Sequence, residues 1–152
     1  MKKVFQLLLL IIVIKVPVNG QNLDLGQKIE KVPNTFKLIG ISSKDNSKIY
    51  RFIETFPTTV FSYSVDYFEV KIHENTVVSL HFVLRPKDKL NEVPIDLIEK
   101  IKLKSGHEPL KKDSKYFFDD ISNKTVVARQ NIPDYNGDKI HILVSLTDYL
   151  KN

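Results

Sequence analysis

The sequence predicts an α+β fold: one small domain in which an antiparallel β-sheet of about six to eight strands carries a single main helix on one face. Three observations lead there. β-branched and aromatic residues alternate with polar ones over 58–85 and again over 139–147. One stretch of helical periodicity, 94–104, opens at a proline. Clusters of Ser, Asn, Asp and Gly separate the apolar stretches at short intervals.

Ahead of this pattern, Met1-Lys2-Lys3 gives a positive start and 4–14 an apolar run broken only by Gln6, the make-up of a signal peptide. Lys15 ends the run short of the ~20 apolar residues that cross a bilayer, and Pro17 opposes a continuing helix. Val18 and Gly20 are small residues of the kind a signal peptidase accepts. The expectation is therefore cleavage between Gly20 and Gln21, with 1–20 the signal peptide and 21–152 one exported domain, periplasmic or extracellular in a bacterial-type cell. An uncleaved anchor is the alternative. Once the signal is removed, no transmembrane span is expected.

Removing residues 1–20 takes away three lysines and no acid, which lowers the formal charge from +5 to +2. So nearly neutral a domain lacks the concentrated basic face of a nucleic-acid binder. Only Arg51, Arg85 and Arg129 offer the planar fork that suits phosphate and carboxylate groups. There is no cysteine, so the domain must hold without disulfides and has no thiol nucleophile. About 130 residues bury enough apolar surface for a core to do so alone.

Gln21 to Pro33 reads as a short helix or an extended lead-in. Apolar stretches at 36–41 and 48–53 flank the turn-rich 42–47, the layout of a hairpin. The long 58–85 segment changes parity near Asp66-Tyr67, where a bulge or turn is expected, and breaks at Glu74-Asn75-Thr76. If both arms present their apolar faces to one core, Ile72 stands opposite Val78, Val70 opposite Leu80 and Phe68 opposite Phe82. Glu69 then faces His81, and Lys71 faces Ser79. In the helix, Ile95, Leu97, Ile98 and Ile101 supply the apolar face, Gly106 the C-terminal cap, and Glu99, Lys100, Lys102 and Lys104 the wet side. Strands at 115–121, 125–132 and 139–147 follow; in the last, Ile140, Ile142 and Val144 alternate with His141 and Ser145.

Candidate sites are few. Asp134, Asn136 and Asp138 alternate as calcium ligands do, yet Lys139 and Ser145 occupy the positions where a calcium loop needs Gly and a bidentate acid, so a hairpin turn accounts for them better. His73, His81, His107 and His141 lack zinc-site spacing. The adjacent acids Asp119 and Asp120 point to opposite faces of a strand and cannot share a proton. Glycine-rich phosphate loops and a G-x-S-x-G elbow are absent. Lys100, Lys102, Lys104, Lys111, Lys112 and Lys115 gather in sequence, but Glu99, Glu108 and Asp113 dilute them, which favours a solvated surface. Glu69 and His81 remain as a possible ionisable pair.

No cofactor is expected, and the missing reactive constellations argue for a non-enzymatic exported domain that binds a protein or a small molecule. A hydrolase-type enzyme built from dispersed Asp, Glu and His residues is the first alternative, and a structural component of the envelope or surface the second.

Overall fold

The strongest β signal in the chain becomes the centre of the sheet. The computed structural model describes residues 16–18, 21–54, 59–86, 92–113, 115–119, 124–130 and 139–146. Within them β6 (Tyr63–His73) and β7 (Thr76–Arg85) form a long antiparallel hairpin. On one side β6 pairs β4 (Lys48–Phe52), which pairs the edge strand β3 (Phe36–Ile41). On the other, β7 pairs β11 (Ile140–Leu146), and β10 (Lys124–Gln130), β9 (Lys115–Asp119) and β8 (Leu110–Lys112) follow outward. β5 (Thr59–Val60) pairs the start of β6 off this path. Among the described residues all the pairings are antiparallel and one helix accompanies the sheet, as the α+β reading requires. The sheet has nine strands among the described residues, one more than expected, because β5 and β8 are hairpin arms too short to show a periodicity. β1 (Val16–Val18) and β2 (Gln21–Leu23) form a separate two-stranded sheet.

The lead-in after β2 is extended. Gly26, at φ 81°, donates its N–H to the Val77 carbonyl at 2.8 Å, and the Ile29 N–H reaches the Asn75 carbonyl at 2.7 Å. These bonds lay the segment along the start of β7 and place Leu23 and Ile29 in the core.

The register of the central hairpin matches the parity argument over Phe68/Phe82, Glu69/His81, Val70/Leu80 and Lys71/Ser79. It departs from that argument at the turn, where Ile72 pairs Val77 rather than Val78 and the loop has two residues instead of three. Glu74 and Asn75 both have positive φ, the backbone of a primed turn whose twist matches that of the flanking strands. The shorter turn leaves one extra residue in β7, absorbed as a bulge between the Lys71 and Ile72 pairs. A second bulge falls between the Val65 and Tyr67 pairs, where the parity of the sequence changes.

α1 (Ile95–Ser105) starts one residue later than expected. Pro94 is its N-cap, and its carbonyl accepts from the N–H groups of Leu97 and Ile98 at 3.1 Å each. Gly106 closes the helix in the left-handed region at φ 73°, donating to the Lys102 carbonyl at 2.8 Å. Leu97, Ile98 and Ile101 are buried, but Ile95 is 73% exposed. It lies about 200° around the helix from Leu97, so the docked face cannot include both. Tyr63 Oη donates to Asp96 Oδ1 at 2.8 Å and Lys100 Nζ donates to the Phe61 carbonyl at 3.2 Å, pinning the helix to β6 and its turn.

The core lies between α1 and one face of the sheet. Phe68 stacks on Phe82 with ring centroids 4.6 Å apart, and Phe36 meets Phe68 edge-on at 6.0 Å. Leu84, Ile140, Ile142 and Phe118 extend this face across the neighbouring strands. Each such side chain contributes about 1.5–3 kcal/mol by leaving water. Alternation then fixes what the opposite face, called outward because the main core does not use it, receives: Glu69, His81, Val83, His141, Leu143 and Ser145, of which Val83, His141 and Ser145 are themselves buried.

Candidate functional site

On the outward face four adjacent strands place ionisable side chains in a continuous hydrogen-bonded chain. Arg51 of β4 stands opposite Glu69 of β6, and Glu69 opposite His81 of β7. Arg51 donates to Glu69 Oε1 through Nε at 3.0 Å and Nη2 at 2.6 Å. The other carboxylate oxygen, Oε2, lies 3.1 Å from His81 Nδ1, and His81 Nε2 lies 2.9 Å from Nδ1 of His141 on β11. The Arg51 guanidinium lies 4.3 Å from the Tyr67 ring centroid, and Tyr67 meets His81 edge-on at 6.2 Å. The two imidazoles have centroids 5.1 Å apart and planes 22° apart. With a 2.9 Å N···N contact, that is an edge-to-edge hydrogen bond rather than face-to-face stacking.

The carboxylate settles the proton positions. An ionised Glu69 only accepts, so His81 Nδ1 carries hydrogen. When His81 is neutral, its Nε2 accepts from His141 Nδ1; when it is protonated, the direction reverses. In either state one proton lies between the two rings. Burial opposes charge on Glu69, but the hydrogen bonds from His81 and Arg51 outweigh it and hold the carboxyl below the usual glutamate range. The Arg51 side chain is 44% exposed, those of Glu69 and His81 are largely covered, and His141 is buried. Beside it Ser79 and Ser145 face each other across β7 and β11, both buried, and Ser145 Oγ finds no hydrogen-bond partner among the described residues.

A second ionic group lies at the Asp66 bulge, where Lys139 Nζ reaches Asp66 Oδ2 at 2.8 Å and Arg85 bonds Oδ1. Burial again opposes the charge, and the bonds from Lys139 and Arg85 prevail, so the Asp66 carboxyl is lowered. With the Lys139 side chain only 6% exposed, this group reads as a clamp joining β6 to the start of β11.

The structure therefore brings Glu69 and His81 together as their strand parity implied, and adds Arg51, Tyr67 and His141. Arg51 and His141 escaped the sequence reading because the pairing of β4 with β6 and of β7 with β11 is not encoded locally, whereas Tyr67 lies on β6 itself, two residues from Glu69 on the same face. The one available signal was that His141 alternates with the apolar residues of its strand. His73 sits at the end of β6 with Nε2 4.0 Å from Glu74, and His107 follows the helix; neither joins the chain. Asp134, Asn136, Asp138 and Asp120 lie outside the described residues. Among the described residues no group of three or more His, Asp or Glu is arranged to hold a metal ion.

The lysine-rich stretch is divided by the fold. Lys100 pairs with Asp96, Lys102 with Glu108, and Lys111 with Glu92. Lys104 falls in the last turn of α1, while Lys112 and Lys115 face each other across the β8–β9 hairpin. No described helix is long and apolar enough to cross a membrane. Compared with models of known protein families, with curated proteins and with solved structures, the chain matches none.

Proposed function

We propose that this chain is an exported, non-enzymatic binding domain whose outward sheet face receives a small ligand. The observation that carries the reading is the Arg51–Glu69–His81–His141 chain, which runs from solvent inward across four strands on the face the core does not use. An outward face needs only solvated polar residues to stay soluble, and partial burial of ionisable groups there costs free energy unless their bonds are satisfied. Concentrating such groups around buried Ser79 and Ser145 makes a polar recognition surface backed by a rigid sheet. A thermal-shift screen of small polar and amphiphilic compounds tests this. A bound compound raises the melting temperature in proportion to its mass-action stabilisation, and His81→Leu should abolish that rise. A screen in which no compound shifts the wild-type protein more than the variant removes the reading.

Export follows from residues 1–20. N-terminal sequencing of protein recovered outside the cytoplasm should begin at Gln21, and a start at Met1 contradicts cleavage.

One observation favours a second reading, acid–base catalysis: a carboxylate fixes the tautomer of His81 and leaves a second imidazole to relay its proton. Turnover of ester or phosphoester substrates, lost in both His81→Ala and His141→Ala, would establish it. Binding without turnover would leave the domain non-enzymatic.

A further inference from the structure

The bond between the two imidazoles of the outward face depends on how many protons they share. His81 Nε2 lies 2.9 Å from His141 Nδ1, and a contact that short needs hydrogen on one nitrogen and a lone pair on the other. With both rings neutral, His81 keeps its hydrogen on Nδ1 for Glu69, so the hydrogen between the rings comes from His141. One added proton is accommodated, because either ring can be the cation while the other presents a lone pair at the contact. A second added proton is not. Both facing nitrogens then carry hydrogen, and two N–H groups meet where one bond was.

The acids described around the pair are already engaged. Glu69 of β6 accepts from Arg51 of β4 at one oxygen and pairs His81 at the other. At the β6 bulge Asp66 accepts from Lys139, ahead of β11, and from Arg85 of β7, and Asp45 accepts from Lys71 of β6. On β10, Arg129 stands opposite His141 in register. Tyr67 meets His81 edge-on as an uncharged ring. The imidazole centroids are 5.1 Å apart and His141 is buried, so two cations here repel at close range with weak screening by water. Against the burial that opposes its charge, the bonds from His81 and Arg51 keep Glu69 below the usual glutamate range. It is therefore still a carboxylate over the pH range in which imidazoles titrate.

We infer that the His81–His141 pair is a proton-operated latch between β7 and β11, closed while the two rings hold at most one added proton and opened when acid adds the second. The unfolded chain separates the rings and takes both protons freely. Over the second step it therefore binds more protons than the folded chain, and stability falls as the pH drops through that step. What opens is the buried inner end of the hydrogen-bonded chain, where His141 leaves its place against His81 or carries a buried charge without that bond. The latch operates whether or not this face binds a ligand.

The test is an acid titration of the full chain with nitrogen-15 in its histidines, following the scalar coupling that passes between two nitrogens through an N–H···N bond. A coupling between His81 Nε2 and His141 Nδ1 should be present at pH 8 and persist as the first proton enters. It should vanish as the second enters, in a step separate from the first. His73 and His107 should each titrate in one step and serve as references. A double-mutant cycle with His81→Leu and His141→Leu, read by urea denaturation, gives a second measure. The coupling should correspond to about a fivefold ratio of unfolding constants at pH 7.5, and fall to about one or below where the spectra show both rings cationic. Because the spectra use the unaltered chain, they decide the matter even if a leucine variant fails to fold. A nitrogen coupling that is absent at pH 8, or that persists once both rings are cationic, overturns the inference. So does a cycle with the same ratio at both pH values, or acid unfolding while the pair still holds one added proton.

Discussion

Replacing Glu69 by alanine removes the carboxylate that joins Arg51 of β4 to His81 of β7 across the outward face. Two contacts are lost. The bond to Arg51 joins a guanidinium that is 44% exposed and can turn to water, so its contribution is that of a solvent-screened pair, about 0–1 kcal/mol. The bond to His81 joins side chains only 14% and 21% exposed, and a charge-assisted bond there contributes about 1.5–3 kcal/mol. The expected loss is about 1.5–4 kcal/mol, or a fall in melting temperature of about 3–16 °C for a domain of this size. Glu69→Gln keeps an acceptor for His81 Nδ1 and should lose about 1 kcal/mol. Urea denaturation at neutral pH measures both, and a double-mutant cycle with Arg51→Ala should return a coupling below about 1 kcal/mol. If Glu69→Ala lies within about 0.5 kcal/mol of wild type, the hydrogen-bonded chain contributes nothing to the fold and the reasoning fails.

Acid should destabilise the domain through the same groups. Glu69 and Asp66 are depressed below their ordinary 4.5 and 3.8, so each contributes stability that is present above those values and lost as pH falls through the lower native ones. The urea midpoint should thus hold near pH 6 and drop toward pH 3; Glu69→Gln should flatten the drop, and an identical slope in that variant would assign the acid sensitivity elsewhere. Phe82→Ala, at a fully buried ring stacked on Phe68, should cost about 3–5 kcal/mol, and a loss under about 1 kcal/mol would place that ring outside the core. Lys115→Gln relieves the like charge of Lys112 directly opposite and should raise stability by about 0.2–1 kcal/mol; a loss would show that Lys115 has a structural partner.

What the sequence makes legible is local. Alternation from Phe68 to Leu84 carries the face each residue takes, and with it the Glu69–His81 contact, because parity survives any turn whose extra residue is absorbed by a bulge. The turn itself was misjudged: Glu74-Asn75-Thr76 reads equally as a two- or three-residue loop, and the preference of the twisted hairpin for a primed turn decides it. Ile95 was misplaced because helical periodicity identifies an apolar stripe but not its centre, and the stripe here runs through Leu97 and Ile101. Strand order is the largest omission. That β7 adjoins β11 rather than β8 is long-range pairing with no local signature, and it is this neighbour that brings His141 to His81. The lysine-rich stretch shows the same limit: in sequence it is one basic cluster, and in the fold some of its members are paired with acids while Lys112 and Lys115 face each other across the β8–β9 hairpin.

The central claim, that the outward face is a recognition surface, is tested most directly by nitrogen-15 spectra of the four imidazoles, recorded on the full chain with each compound retained from the thermal-shift screen. The account predicts that the ring resonances of His81 and His141 shift on binding, while those of His73 and His107 stay in place. Saturable binding that leaves His81 and His141 unmoved would contradict it.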